Sequence, residues 1–558
     1  MIKQLVTGLE EWTPKSIQCL RTYTWATFAK DLVAGITVGL VALPLAMAFA
    51  ISSGVPPQNG IYCAIVAGFI ASALGGSKCQ ISGPTGAFVV VVAGIVAKFG
   101  VDGLFMVTLM AGVMLLFLGI TRLGSAVKFI PRPVVIGFTN GIAVLIASTQ
   151  IKDFLGLELP KVPGEFWPRM VALGQALSTF SVQTTMLATV TLAVLIVMAR
   201  FVKKVPGAIV VLLVGTAAAL ILKLPVETIE SRFGGIPAGL PKFEIPKFDP
   251  AIVSSLISPA LTVTMLGAIE SLLSAVVADR MTGDKHNPNV ELVAQGVANV
   301  ASPLFGGIPA TGAIARTATS IRSGAKTPVA GMIHALTLLG VLLFAAPLAK
   351  FIPLCVLSAI LFMVAYNMGE WKEIPQILKL SKADIGVWLL TFALTVFADL
   401  TVAVEAGMIL AALTYIRKVT ATTTVAKVTG DYLVEGREHV LQLQEIPDDV
   451  AIYRIHGPFL FGSTDKIDEI TDNIDSLPQV VILRLRNMTA IDATGIQALE
   501  DLASSLKKNG RSVIFCGMRE QPAELLLKAK FDDHVGAENL CRNVSEALKR
   551  AREILTLK

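Results

Sequence analysis

Two charged residues lie inside apolar segments of the chain, where a charge is costly. Arg316 lies in the short run 313–324, and Glu270 lies midway along TMLGAIESLLSAVVADR. A guanidinium or carboxylate at membrane depth is expected to face a cavity or a partner. We predict that Arg316 adds positive charge to an anion site and that Glu270 carries a proton for coupling. The alternative is a structural ion pair between these two side chains.

Small residues precede Arg316, and a similar stretch occurs in the first half of the chain. SGPTGA at 82–87 opens the short apolar run 85–97, and GGIPATGA at 306–313 opens the run that holds Arg316. A helix that begins inside the membrane presents unpaired N–H groups and a positive dipole end. Two such ends can bind an anion. The predicted lining residues are Thr85, Gly86, Ala87, Gly312, Ala313, Ile314 and Ala315.

Helix packing is the alternative role for these small residues, because membrane interfaces also favour Gly and Ala. Packing does not explain Pro84 or Arg316. Ser274 lies one helical turn after Glu270 and is expected to share its face, as a supporting residue. Glu405 and His334 lie near span ends, and we assign them structural roles.

Other chemistries find no support in the residue pattern. The six cysteines form no CxxC and no histidine cluster accompanies them, so we predict reduced thiols, no metal and no cofactor. No nucleophile–base pair or nucleotide-binding P-loop can be assembled, which disfavours an enzyme and ATP-driven transport. Basic residues flank apolar runs rather than forming a block in a polar domain, so nucleic acid is not expected as a partner.

The composition indicates which class of protein positions these residues. Of 558 residues, 54% are hydrophobic and 16% are charged, whereas soluble proteins contain about 25% charged residues. A spanning helix needs about 20 apolar residues. We therefore predict an α-helical polytopic membrane protein. The clear candidate spans are 32–51, 60–76, 104–120, 186–200, 207–222, 258–278, 328–347, 352–367, 384–398 and 400–416.

The two short Gly/Pro-flanked runs occupy matching places in the two halves, which is typical of inverted-repeat transporters. Two loops between ordinary spans are the alternative. We predict fourteen membrane segments as seven plus seven, with repeats at about 31–223 and 255–419 inside a transport domain at 31–419. Both termini then share the side richest in Lys and Arg, so we place them in the cytoplasm and the chain in the inner membrane. Residues 1–30 are predicted to be a cytosolic lead-in.

The character of the sequence changes after Arg417. Segments 450–455, 480–485 and 512–516 are strand-like, while 496–508 carries apolar residues at helical spacing. Alternating strands and helices predict a small soluble α/β domain. We assign residues 420–436 to a linker and 437–558 to this domain.

Four stretches resemble the SulP family, also called solute carrier family twenty-six. They are DLVAGITVGLVALPLAMAFAISSGVPPQNGIY (31–62), ISGPTGAF (81–88), LGAIESLLSAVVADRMTGDKHNPNVELVAQGVAN (266–299) and GGIPATGAIARTATSIRSGAKTP (306–328). The C-terminal part resembles the STAS domain of these transporters, so the resemblance spans essentially the whole chain. The sequence segments AIESLL and AIAR are most similar to the corresponding segments of bacterial dicarboxylic acid transporters.

The resemblance implies core and gate domains, an elevator movement of the core, and a homodimer formed largely through the cytosolic domains. The residues that it places around the anion are Phe49, Leu45, Thr85, Ala313, Ile314, Ala315 and Arg316. Many members have glutamine where Leu45 stands. Sodium-coupled bicarbonate members have aspartate at the Glu270 position and a hydroxyl residue at the Ile314 position, so this chain's pair favours proton coupling.

In the STAS-like domain, DATG (492–495) matches a loop that is phosphorylated in anti-sigma-factor antagonists. The corresponding residue is Thr494, and a phosphate is favourable at a helix N-terminus. The alternative is a plain helix cap by Asp492 or Thr494. A regulatory protein is a possible partner of this domain.

The leading hypothesis is an elevator-type secondary transporter that couples protons to uptake of small dicarboxylates, of the succinate, fumarate and aspartate class. A second hypothesis is a sulfate or bicarbonate transporter or exchanger. Hypotheses of other classes are a membrane anion sensor that signals through the STAS domain, and an anion channel.

Overall fold

The structure is a computed structural model that describes residues 12–124, 131–159, 162–202, 206–237, 239–246, 250–398, 400–428 and 446–556. The chain divides into two compact units, Met1–Met408 and Ile409–Lys558.

The first unit is helical. Among the described residues, eight helices have the length and apolar composition needed to cross a membrane, which agrees with the predicted polytopic fold. The helices that begin in this unit are α1 Lys15–Leu20, α2 Trp25–Ser52, α3 Pro57–Leu74, α4 Gly86–Ile120, α5 Arg132–Leu155, α6 Phe166–Gln175, α7 Val182–Phe201, α8 Gly207–Ile221, α9 Ile229–Phe233, α10 Val253–Thr282, α11 Pro288–Leu304, α12 Ile314–Arg322, α13 Val329–Ala349, α14 Leu354–Met368, α15 Ile374–Ile377, α16 Lys382–Phe397 and α17 Leu400–Thr422, the last of which continues past Met408.

Two of these helices correspond to the short runs in the sequence. Gly100 interrupts α4 with a φ of 72°, a conformation that glycine adopts readily, so a short helix precedes a longer one. Helix α12 has nine residues, which is about 14 Å of helix and too short to cross a membrane. Helices α5 and α11 were not among the clear candidate spans, because polar residues interrupt both. The count of fourteen segments stays a prediction.

The short helices begin at a pair of two-residue strands. Strand β1 (Ser82–Gly83) pairs antiparallel with β2 (Thr311–Gly312), with Ser82 opposite Gly312. The Ala313 N–H extends the pairing by donating to the Ile81 carbonyl at 2.8 Å. Since antiparallel strands run in opposite directions, α4 and α12 leave the pair toward opposite sides. This arrangement agrees with an inverted repeat.

The N-terminus of α2 holds a buried carboxylate. The helix begins at Trp25, after the cap residue Thr24, so residues 25–30 of the predicted lead-in belong to the first membrane helix. Asp31 is fully buried. It accepts bonds from Lys326 N at 2.7 Å, from Thr327 N at 3.2 Å and from the Thr327 hydroxyl. The carboxylate therefore ties α2 to the turn before α13.

We expect Asp31→Ala to lower the free energy of unfolding by about 2–4 kcal/mol, because it leaves the buried N–H of Thr327 and the part-buried N–H of Lys326 without their acceptor. The measurement is thermal unfolding of the purified full-length protein. Asp102→Ala is the matched control, since Asp102 is exposed on α4. Equal melting of the Asp31 and Asp102 variants would contradict this role.

The second unit is the predicted α/β domain. Its sheet has the order β3-β4-β5-β6-β7, parallel except for the antiparallel β3–β4 pair. Buried apolar clusters lie on both faces of the sheet. Its strands and helices are β3 Thr424–Lys427, β4 Val450–Phe459, α18 Asp468–Asp472, β5 Val480–Ile491, α19 Ala493–Lys508, β6 Ser512–Cys516, α20 Glu520–Lys528, α21 Phe531–Val535, β7 Leu540–Cys541 and α22 Val544–Thr556.

Strand β3 corrects the assignment of 420–436 as a linker alone. Thr424 lies opposite His456, and Lys427 lies opposite Tyr453, so the start of the predicted linker is the edge strand of the sheet. The sequence alone did not indicate a strand in the four residues of β3. They form a strand only through pairing with a segment that is distant along the chain. Residues 429–445 of the predicted linker and domain lie outside the described residues.

Candidate functional site

The N-termini of α4 and α12 lack side-chain caps. Thr85 is the N-cap residue of α4, and threonine usually accepts a bond from the first helical turn. Here its hydroxyl instead donates to Glu270 Oε2 at 2.8 Å, and no cap bond is formed. Ala313 precedes α12 and has no polar side chain with which to cap it. Both helix ends can therefore offer backbone N–H groups and positive dipole ends to an anion.

Arg316 lies in the first turn of α12 with its guanidinium buried. Its Nη2 donates to the carbonyl of Pro84, just before α4. Its Nη1 has no hydrogen-bond partner among the described residues, and no carboxylate of those residues lies within 4 Å of it. The ion pair with Glu270 considered above is thus not formed. A buried guanidinium with an unused donor is suited to an anionic ligand.

Gly83 permits the close approach of Arg316 to the strand pair. Its φ of 148° is a conformation that other residues rarely adopt, and a Cβ there would lie 2.8 Å from Arg316 Nη1. The crowding explains why the strand before α4 contains glycine at this position.

Apolar side chains surround the start of α4. A Cβ on Gly86 would lie 3.4 Å from Phe49, 2.9 Å from Ile146 Cδ1 and 3.3 Å from Met368 Sδ. Phe49 on α2 therefore lies close to the start of α4, and partly buried Leu45, one turn earlier, packs against the apolar cluster that contains Phe49. Their contact with an anion stays a prediction. Sequence reasoning missed Ile146 on α5 and Met368 on α14, because an apolar residue in an apolar helix carries no distinguishing signal.

The remaining predicted residues divide into two groups. Ala87, Gly312 and Ala313 are buried, whereas Ile314 and Ala315 are exposed. Gly312 N donates to Ser271 Oγ at 3.0 Å. The exposed pair can contribute to the site through backbone N–H groups at the helix end.

Ser274 supports the strand pair rather than Glu270. Its hydroxyl lies 3.1 Å from that of Thr317, and Thr317 Oγ1 accepts a bond from Ile81 N at 3.0 Å. The contact joins α10, α12 and the start of the strand pair.

A buried polar network behind the strand pair was not predicted. On α11, Glu291, Gln295 and Asn299 are at most 1% exposed. Glu291 accepts from Gly76 N at 2.9 Å and from Gln80 Nε2 at 3.1 Å.

The same network extends to β1 and to the residue before β2. Gln295 donates to Ser82 Oγ at 2.7 Å and to Glu291 Oε1 at 3.0 Å. Asn299 exchanges two bonds of 2.8 Å with the backbone of Ala310. The spacing of four residues in ELVAQGVAN was the available signal, because it puts these side chains on one helix face.

We expect Glu291→Ala to lower the free energy of unfolding by about 2–4 kcal/mol and to reduce transport, because it removes the acceptor shared by Gly76 N and two side-chain amides. Glu291→Gln is the matched variant, since its amide oxygen can still accept from Gly76 N, and it should lose less. The measurements are thermal unfolding and flux in the same preparation. Wild-type melting of Glu291→Ala would contradict the role of this network.

Thr494 lies in the second unit, in the first turn of α19. Asp492 caps this helix by accepting from Gly495 N at 2.9 Å, so Thr494 is not the cap residue. The Thr494 side chain is exposed. Its phosphorylation stays a prediction.

The chain matches two family models. The sulfate permease family model matches residues 28–391, and the STAS domain model matches residues 442–547.

Among the described residues, no group of three or more His, Cys, Asp or Glu side chains could hold a metal ion.

Curated relatives match along most of their length. The chain is 42% identical over 520 residues to the putative sulfate transporter YvdB of Bacillus subtilis, covering 93% of this chain and 96% of the relative. It is 32% identical over 536 residues to the bicarbonate transporter BicA of Picosynechococcus sp., covering 93% and 94%.

Two solved structures share the fold. The transmembrane domain of a cyanobacterial BicA is 35% identical, with a TM-score of 0.61, and the match covers 70% of this chain and 98% of that one. The structure of SLC26A9 is 18% identical, with a TM-score of 0.88, and the match covers 100% and 95%. The family match and the shared fold confirm the predicted multi-pass transporter with a C-terminal STAS domain, rather than an enzyme. The chain therefore belongs to the sulfate permease (SulP) family of anion transporters.

Proposed function

We propose that the chain is an elevator-type secondary transporter that takes up a small dicarboxylate together with a proton. The observation that carries the proposal is the buried Arg316, whose Nη1 has no partner among the described residues, beside two uncapped helix ends. One fixed positive charge and two dipole ends attract an anion strongly in a low-dielectric environment. The choice of a dicarboxylate as substrate rests on the resemblance of the segments AIESLL and AIAR to bacterial dicarboxylic acid transporters.

Glu270 is the proposed proton carrier. It accepts the bond from the Thr85 hydroxyl, so a change at Glu270 is transmitted directly to the N-cap residue of α4. A negative carboxylate beside an anion site repels the anion, whereas a protonated one does not. Binding of proton and anion would therefore be mutually favourable, which is the requirement for symport.

Sulfate or bicarbonate is the second candidate substrate. The names of YvdB and BicA favour it, since the chain is 42% and 32% identical to these relatives. Both anions are small oxyanions that backbone N–H groups at a helix end can bind.

Uptake into proteoliposomes tests these proposals. Labelled succinate, fumarate, aspartate, sulfate and bicarbonate would be offered with and without an inward proton gradient, and with sodium in parallel. Accumulation of a dicarboxylate that requires the proton gradient is the expected result. Uptake confined to sulfate or bicarbonate would instead favour the second candidate. Saturable binding without flux of any anion would favour a sensor.

The placement and assembly of the chain are part of the same proposal. We expect an inner-membrane protein whose termini and STAS domain lie in the cytoplasm, since Lys and Arg concentrate in the loops predicted on that side. We also propose a homodimer, and a regulatory protein that binds the STAS domain. Protease accessibility of the STAS domain in oriented membrane vesicles tests the orientation.

A further inference from the structure

The uncapped start of α4 faces apolar side chains from three different helices. Because the Cα–Cβ bond of a helical residue tilts toward the helix N-terminus, the position that a Cβ of Gly86 would occupy lies beside the open end of α4. Phe49 of α2 is 3.4 Å from that position, Ile146 Cδ1 of α5 is 2.9 Å from it, and Met368 Sδ of α14 is 3.3 Å from it. We call these three side chains the apolar wall.

The apolar wall and the positive charge of the site adjoin the same short segment. Arg316 donates to the carbonyl of Pro84, two residues before Gly86. An anion held by Arg316 and by the N–H groups of the helix end therefore meets hydrogen-bond donors from those groups and only apolar atoms from the wall. Since the wall has no donor for an anion, it acts on the anion through the space that it leaves.

The two members of the wall from α5 and α14 are held in place. Ile146 is fully buried. Met368 is the last residue of α14, and the carbonyl of the next residue, Gly369, accepts a bond from Asn140 Nδ2 of α5. Asn140 is itself fully buried and accepts a bond of 3.0 Å from Trp388 Nε1 of α16. This network fixes the end of α14 against the helix that carries Ile146.

We propose that Ile146 and Met368 determine the specificity of the site by setting the size of the largest anion that it accepts. Backbone N–H groups and a guanidinium bind anions of many kinds, so they set no limit on size. A closely packed apolar wall does set one, because an anion that overlaps it must displace side chains. The inference rests on the proposed transport function, but it applies to a dicarboxylate and to a small oxyanion alike.

The test compares the affinities of anions that differ in size but not in charge. Isothermal titration calorimetry measures the binding of malonate, succinate, glutarate and adipate to the purified full-length protein in nanodiscs at neutral pH. The variants Ile146→Ala and Met368→Ala shorten the wall from α5 and from α14. Ile146→Val removes a single methylene, which keeps the test decisive if the larger truncation prevents folding. Size-exclusion chromatography shows which variants are folded.

We expect the affinity for adipate relative to succinate to rise about tenfold or more in Ile146→Ala and Met368→Ala, since one methylene in an apolar pocket discriminates by about 10–200-fold. Ile146→Val should give a smaller rise. Ile136→Ala is the matched control and should leave the ratio unchanged. Ile136 is buried on the same helix, about 15 Å before Ile146, and is not among the nearest contacts of the Gly86 position.

Two results would overturn the proposal. One is an unchanged affinity ratio in the folded variants of Ile146 and Met368. The other is an equal rise in Ile136→Ala, because a general loosening of α5 would then explain the change.

A different result would contradict the dicarboxylate substrate alone, namely a wild-type protein that binds sulfate and no dicarboxylate. In that case sulfate and thiosulfate replace the dicarboxylates, since they carry the same charge and thiosulfate is larger. A higher ratio of thiosulfate to sulfate affinity in Ile146→Ala and Met368→Ala, but not in Ile136→Ala, then supports the role of the wall. An unchanged ratio overturns it.

Discussion

Purified Arg316→Ala is expected to bind its anion about 100-fold more weakly than the wild type, a loss of about 2.7 kcal/mol. Such a loss lies within the cost of about 2–5 kcal/mol for truncating a buried, hydrogen-bonded charge at a binding interface. The physical reason is that Arg316 is a buried guanidinium that donates to the segment between β1 and α4 and keeps Nη1 without a partner among the described residues. The measurement is the equilibrium dissociation constant of the labelled anion that shows the highest uptake in the proteoliposome experiment.

Two variants separate this role from a structural one. Arg322→Ala is the matched control, since Arg322 is exposed in the last turn of the same helix, and it should bind normally. Arg316→Lys keeps the charge but loses the planar group that can donate to Pro84 and to an anion at the same time, so it should bind with intermediate affinity. Size-exclusion chromatography confirms that each variant is folded. Normal affinity in folded Arg316→Ala would rule out a direct contact with the anion.

Glu270→Gln is expected to abolish accumulation driven by a proton gradient while exchange of labelled for unlabelled anion persists. Glutamine resembles the protonated carboxyl group and can still accept the bond from the Thr85 hydroxyl, so the binding site should remain intact. It cannot release a proton, so the anion loses its coupling to the gradient. Both fluxes are measured in one batch of proteoliposomes.

The control for this experiment is Glu405→Gln on α17, where the carboxylate is exposed. It should transport like the wild type. The structure makes collapse of the Glu270 variant unexpected, since Glu270 and Arg316 are not within ion-pair distance of each other. Full proton-driven accumulation by a stable Glu270→Gln protein would exclude Glu270 as the carrier.

Local sequence patterns were sufficient to predict several parts of the structure. Segments of about 20 apolar residues predicted membrane helices because a bilayer imposes that length. The short runs before Gly100 and around Arg316 predicted helices too short to span, and both are found. The strands at 450–455 and 480–485 are longer in the structure but begin at the same residues.

Other parts depended on contacts between distant segments. The alternative role considered for Arg316 was an ion pair with Glu270, whereas the structure pairs its guanidinium with the carbonyl of Pro84, 232 positions away. A backbone carbonyl occurs at every position, so no residue type signals such a partner. Similarly, Glu291 was read as one residue of a family motif, because its acceptor role appears only when Gly76 and Gln80 lie beside it.

The sequence by itself determined which segments are apolar, which are interrupted, and where membrane helices give way to an α/β domain. These properties follow from the period and composition of neighbouring residues. Only the tertiary structure decided that β1 lies against β2 and that Thr85 donates to Glu270 instead of capping α4. The reason is that hydrogen bonds and charges act through space, between residues whose separation along the chain carries no information about their distance.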